Sequence, residues 1–142
     1  LRKRENFRQA FAGFDPVRVA EFDGADIERL MSDASIVRNR AKIEAAIGNA
    51  RVILEMADDL DALLWSFAPE PRPARLDSIS DVPAVTAEST AMAKERKRRG
   101  FRFFGPTTAY ALMQATGMVD DHLTGCWVKS TNTDSSSRYR SQ

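Results

Sequence analysis

His122 is the only histidine of this chain and Cys126 its only cysteine, and both sit in the stretch DDHLTGC at residues 120 to 126. Imidazole and thiolate are the preferred donors of zinc, and a spacing of four lets two side chains reach one ion. A structural zinc takes four protein ligands, so this pair is not a complete set. Taken alone, the two residues read as a histidine at a helix end and a small buried thiol. One cysteine also excludes an internal disulfide and suits a reducing compartment.

A second group able to do chemistry is basic. The run KERKRRGFR, residues 94 to 102, carries six basic residues against one acid. It leads into FRFFGPTTAYALMQATG, which reads as a short link, a turn and a new helix. Gly105 is expected to make a tight turn that a Cβ would resist. Pro106 suits the first helical turn, and the amides and hydroxyls of Thr107 and Thr108 would face outward from a positive helix N-terminus. That is a phosphate site, with Arg98, Arg99 and Arg102 beside it. Ala109, Leu112 and Met113 form the packing face. The layout is a helix-hairpin-helix, which holds a DNA backbone without reading bases. The bland alternative is that the glycine and proline simply open a helix, while the arginines satisfy the dipole of the preceding one. Thr107 also stands where the usual G-x-G hairpin has its second glycine.

These groups must be positioned by helices, because the hydrophobic periodicity is helical nearly throughout. Phe7, Ala10, Phe11 and Phe14 make one stripe, broken near Gly13. Asp15 and Pro16 open a second helix, and Ile27, Leu30 and Met31 mark a third. The longest is expected from about Ser35 to Met56, with Ile36, Ile43, Ile47, Ala50 and Leu54 on one face. Leu60, Leu63, Leu64 and Phe67 mark a fifth. Residues 68 to 83 contain four prolines and read as an irregular connection. Helix resumes from about Glu88 to Arg99, ends at Gly100 as a C-cap glycine, and begins again at Pro106. Trp65 falls on an apolar stripe and is expected in the core. Trp127 is expected to pack the chain end, while Tyr110 suits either core or DNA. The fold class is all-α. Residues 129 to 142 are polar and aperiodic, a disordered tail on this reading.

With 142 residues, 43% hydrophobic and 29% charged, the chain suits one globular domain. A net charge of +1 means that any nucleic-acid face must come from local patches. Neither a membrane-spanning run nor a signal pattern is present in the sequence.

The stretches LRKRENFRQAFAGFDPVRVA, IVRNRAKIEAAIGNA and RGFRFFGPTTAYALMQATGMVDDHLTGC, taken in order, resemble the DNA-3-methyladenine glycosylase I family. The resemblance covers about residues 1 to 128. It implies a helix-hairpin-helix glycosylase bundle, with residues 1 to 128 forming the C-terminal major part of the domain. The implied function is base-excision repair in a bacterial cytoplasm, by hydrolysis of the N-glycosidic bond of 3-methyladenine in alkylated double-stranded DNA. The intact protein would be a monomer with no membrane association. The alternative is a non-catalytic helix-hairpin-helix module that binds DNA.

The resemblance also implies a structural zinc, with His122 and Cys126 as its C-terminal ligands. Its other two ligands, and the base pocket, belong to a family segment that normally precedes RKRENFR. The expectation is therefore half a zinc site and no identified catalytic residue within this stretch. A weaker third reading has two chains sharing one zinc. Asp120 stands where the family pattern has Asn. It and Asp121 resemble, by position, the aspartate that many helix-hairpin-helix glycosylases place after the hairpin. A capping or zinc-supporting role is expected for both.

Overall fold

The structure is a computed structural model and describes residues 2 to 128. The 129 to 142 tail lies outside the described residues. The chain forms helices α1 (Arg4–Ala10), α2 (Pro16–Ala20), α3 (Gly24–Ser32), α4 (Arg40–Glu55), α5 (Leu60–Trp65), α6 (Ala87–Arg98) and α7 (Pro106–Thr116), with short 3₁₀ turns at Ala12–Phe14 and Ile79–Asp81. Among the described residues there is no strand, only an isolated parallel bridge between Leu76 and Leu123. None of the described helices is long and apolar enough to cross a membrane. The all-α expectation holds.

Two compact units share the chain. The first comprises residues 1 to 60 and 96 to 104, the second residues 61 to 95 and 105 onward.

In the first unit α2, α3 and α4 each start where a side chain satisfies orphan amides, whereas α1 has no side-chain cap. Asp15 accepts from the Val17 N–H at 2.9 Å, with Pro16 opening α2. Asp23 and Asp26 cap α3 reciprocally. Helix α4 begins at Arg40 rather than near Ser35, because Asn39 adopts extended backbone and accepts from the Lys42 N–H at 3.1 Å. Upstream, the Asp33 carboxylate takes the Ser35 N–H at 2.8 Å, a local bond that competes with helix. Ile36 is buried all the same, but from the loop. The apolar cluster is Phe11, Val19, Leu30, Ile36, Ile43, Ile47 and Ala50. Phe11 stacks between Phe7 and Phe14, with ring centroids 6.2 and 6.0 Å away. Leu54 does not join the stripe and is exposed.

The ending of α6 follows from glycine's freedom. Gly100 sits at φ +95°. Its N–H donates to the Lys97 carbonyl and the Phe101 N–H to the Arg96 carbonyl, both at 3.0 Å, which is the paired bonding of a Schellman cap.

The second unit buries Ser89, Met92, Ala93, Ala109, Tyr110, Met113 and Met118. Thr86 and Ser89 cap α6 reciprocally, Ser89 Oγ taking the Thr86 N–H at 2.9 Å and Thr86 Oγ1 taking the Ser89 N–H at 3.2 Å. None of α5 is fully buried, so Trp65 is half-buried rather than a core residue. Trp127 does not pack the chain end. It is 91% exposed, and that end is held instead through backbone carbonyls.

Gly100→Ala should destabilise the protein by about 1–2 kcal/mol, the cost of a left-handed residue carrying a Cβ. Chemical denaturation followed by circular dichroism measures it. A change within error would mean the cap tolerates a side chain.

Candidate functional site

In the second unit the proline-rich connection carries two arginines that reach back to the segment after α7. Arg72 pairs with the Asp121 carboxylate and donates to the Tyr110 hydroxyl at 3.0 Å. Asp121 also accepts from Tyr110 at 2.8 Å and from Gln114 at 2.7 Å. Arg75 pairs with Asp120 at 3.6 Å and donates to the carbonyls of Cys126 and Val128 at 3.2 and 2.6 Å. The bridge adds a Thr124 N–H bond to the Leu76 carbonyl at 3.0 Å.

Burial pushes the Asp121 carboxyl up, but hydrogen bonds from Gln114, Arg72 and Tyr110 outweigh it and hold the group below its ordinary value. Burial, with the bond to Asp121, pushes the Tyr110 phenol up, and the Asp121 partner raises Arg72 further. A carboxylate so committed is a structural anion rather than a proton donor. Tyr110 is accordingly a core residue that reaches the network with its hydroxyl. Sequence reasoning missed Arg72 and Arg75. The one available signal was two basic residues among the prolines of PEPRPAR.

This clamp carries the His–Cys pair. Asp120 Oδ1 accepts from the His122 N–H at 3.0 Å, a local cap. Cys126 Sγ stands 3.5 Å from His122 Nδ1. Two donors at zinc-ligand bond lengths in a tetrahedron are separated by about 3.5 Å, so the spacing suits one shared ion. The pair thus fits two of the four ligands of a structural zinc. No cluster of three or more His, Cys, Asp or Glu suited to a metal occurs among the described residues.

A pocket of about 180 Å³ opens beside the clamp, lined in part by Glu70, Arg72, Thr86, Glu88 and Asp120. It is smaller than the roughly 300–1,000 Å³ of sites that enclose a ligand.

The hairpin residues fall in both units. In the second, Gly105 is the N-cap of α7 and Pro106 its first residue, so the Thr107 and Thr108 amides lie in the turn that lacks intrahelical acceptors. Both threonines are exposed. Gly105 does not make the left-handed turn expected of it. Its φ is −90° and ψ 175°, extended backbone that any residue adopts, with open space where a Cβ would stand. The positive φ values of the link belong to Gly100 and to Phe103, at +55°.

In the first unit Arg98 and Arg102 are exposed, while Arg99 is half-buried and pairs with Asp58 at 2.8 Å. Arg96 is a buried member of the same run, its guanidinium 3.9 and 4.3 Å from the ring centres of Phe101 and Phe104. Burial lowers its pKa to about 10, so it remains a cation at neutral pH. A basic run thus divides into solvent-facing charges and one internal cation, a distinction invisible to composition.

This helical architecture is that of the all-α DNA glycosylases. It superposes on a crystal structure of 3-methyladenine DNA glycosylase I with a TM-score of 0.84 at 43% identity, over 89% of this chain and 71% of that one. A variant of such an enzyme in complex with 3-methyladenine matches with a TM-score of 0.80 at 34% identity, over 87% of this chain and 69% of that one. A family model described as methyladenine glycosylase matches residues 1–129, and the chain belongs to that family. DNA-3-methyladenine glycosylase 1 of Escherichia coli is 45% identical over 130 residues, 89% of this chain and 70% of the relative. The DNA-3-methyladenine glycosylase of Haemophilus influenzae is 40% identical over 135 residues, 92% of this chain and 73% of the relative.

Asp121→Ala should cost about 2 kcal/mol, because it strips a partly buried arginine and a tyrosine of their shared acceptor. The carboxyl's folded pKa lies below the ordinary 3.8, so its contribution is fully present above that value and is lost as pH falls through the lowered one. The destabilisation relative to wild type should therefore be constant from pH 5 to 7 and shrink in strong acid. Urea unfolding across pH checks it, and a difference that persists unchanged in strong acid would contradict the assignment.

Proposed function

We infer that this chain acts in base-excision repair, hydrolysing the N-glycosidic bond that joins 3-methyladenine to alkylated double-stranded DNA. The observation that carries the reading is a likeness running the length of the described chain, to a solved relative in complex with 3-methyladenine among others. A base within a duplex must leave the stack before its glycosidic bond can be reached, so the protein must grip the backbone on either side. The alkylated base is cationic and leaves readily. The demand on the protein is therefore for positioning and a water more than for a strong general acid.

The chain's own residues supply positioning. The Thr107 and Thr108 amides, at the positive end of α7, suit a phosphate oxygen. Exposed Arg98 and Arg102 add positive charge on the residues just before, and Arg99 pairs with Asp58. The Arg72 and Arg75 clamp holds the segment that bears His122 and Cys126. Those two would hold a structural zinc as part of its ligand set, and the ion would act as a cross-link, taking no part in hydrolysis. The protein would work as a monomer in the cytoplasm beside the chromosome, where its thiol stays reduced.

Free 3-methyladenine released from methylated duplex DNA by the intact protein, above a buffer control, is the expected result. A folded intact protein that binds duplex but releases no base would instead support the non-catalytic DNA-binding module.

Zinc titration against a chromophoric chelator should show binding that Cys126→Ser and His122→Ala each abolish. Affinity unchanged in both variants would remove the metal assignment. Zinc-dependent dimerisation in sedimentation would favour an ion shared between two chains.

A further inference from the structure

Three aromatic residues lie within four positions of the link after α6, and the fold treats them differently. Phe101 is buried and Phe104 half-buried, each against the Arg96 guanidinium. Phe103 is 56% exposed and occupies left-handed backbone, φ +55°, which a bulky side chain rarely adopts. The residue before it is pinned from another helix. The Asn49 side-chain amide donates to the Arg102 carbonyl at 3.0 Å and accepts from the Arg102 N–H at 2.8 Å, satisfying both backbone groups as a neighbouring strand would. The Schellman cap fixes the start of the link and the Arg96 sandwich holds the rings on either side. The backbone has little freedom left at Arg102 and Phe103, and it spends that constraint on turning an aromatic ring outward beside exposed cations.

Strain kept at an exposed position points to a role for the side chain displayed there. Resting on the DNA reading above, we propose that Arg102 and Phe103 form a preorganised backbone contact in which Arg102 meets a phosphate and the Phe103 ring packs on the adjoining deoxyribose, with Asn49 as the positioning residue. Charge complementarity selects a polyanion: Arg102, next to the ring in the chain, is exposed, as are Lys97 and Arg98 at the end of α6. In a closed duplex the bases are stacked, so the apolar surface next to a phosphate is the sugar face.

Fluorescence anisotropy of this chain with a labelled, unmodified duplex across a salt series tests both levels of the reading. Phe103→Gly removes the ring and relieves the left-handed strain. It should leave thermal stability equal or higher, weaken binding on the order of fivefold, and leave the slope of log Kd against log salt unchanged, since no phosphate contact is lost. Arg102→Ala should reduce that slope by about one. Asn49→Ala should weaken binding in wild type and add little in the Phe103→Gly background, a non-additivity that a merely structural asparagine would not produce. Equal affinity of wild type and Phe103→Gly, with wild type binding duplex, would overturn this proposal alone. No duplex binding by folded wild type would overturn it together with the DNA reading.

Discussion

Backbone polar groups outside helices need partners, and in this protein long side chains supply them across large sequence separations. Lys3 donates to the carbonyls of Ala34 and Ile36, and Arg51 to those of Ala20 and Phe22. Asn49 takes both groups of Arg102, and Arg75 takes the carbonyls of Cys126 and Val128. A helical protein with short helices and long links has no ladder to satisfy such groups, and unpaired ones are costly wherever water is excluded. Asn49 and Arg51 tie irregular backbone to α4, while Lys3 and Arg75 each join one irregular segment to another within a unit. Arg102, and the segment that bears His122 and Cys126, are held in this way.

The second unit uses charge for the same purpose. Asp121 gathers Arg72, Tyr110 and Gln114 around one carboxylate, and a partly buried arginine is tolerable because its counter-ion is in place. Asp120, one residue earlier, turns toward Arg75 and the His122 amide. Two adjacent aspartates thus have separate duties. One anchors the link to the core, and the other shapes the turn that sets imidazole and thiolate at ligand spacing. Both carboxylates are engaged by these partners.

Local signals were read correctly where local physics decides. Asp15 with Pro16 marked a helix start because the side chain bonds two residues on, and Gly100 marked a helix end because only left-handed backbone closes the cap. The reading failed where neighbours decide. Ile36 falls on the stripe of a helix that begins only at Arg40, and Gly105 stands where a hairpin glycine is expected, whereas the positive φ lies at Gly100 and Phe103. Trp127 looked like a packing residue and is exposed, because arginine bonds to carbonyls already hold that end.

The helical class, the caps at Asp15 and Gly100, the basic run and the His–Cys pair are legible in the order of residues alone, and the order of the motifs carries the family. Caps and periodicity act over one or two turns, so they are written in neighbouring residues. Which of six basic residues in one run is buried against two rings, which aspartate meets Arg72, and which phenylalanine is turned outward are set by packing across the fold. Those outcomes depend on side chains arriving from dozens of residues away. No local pattern records such distances.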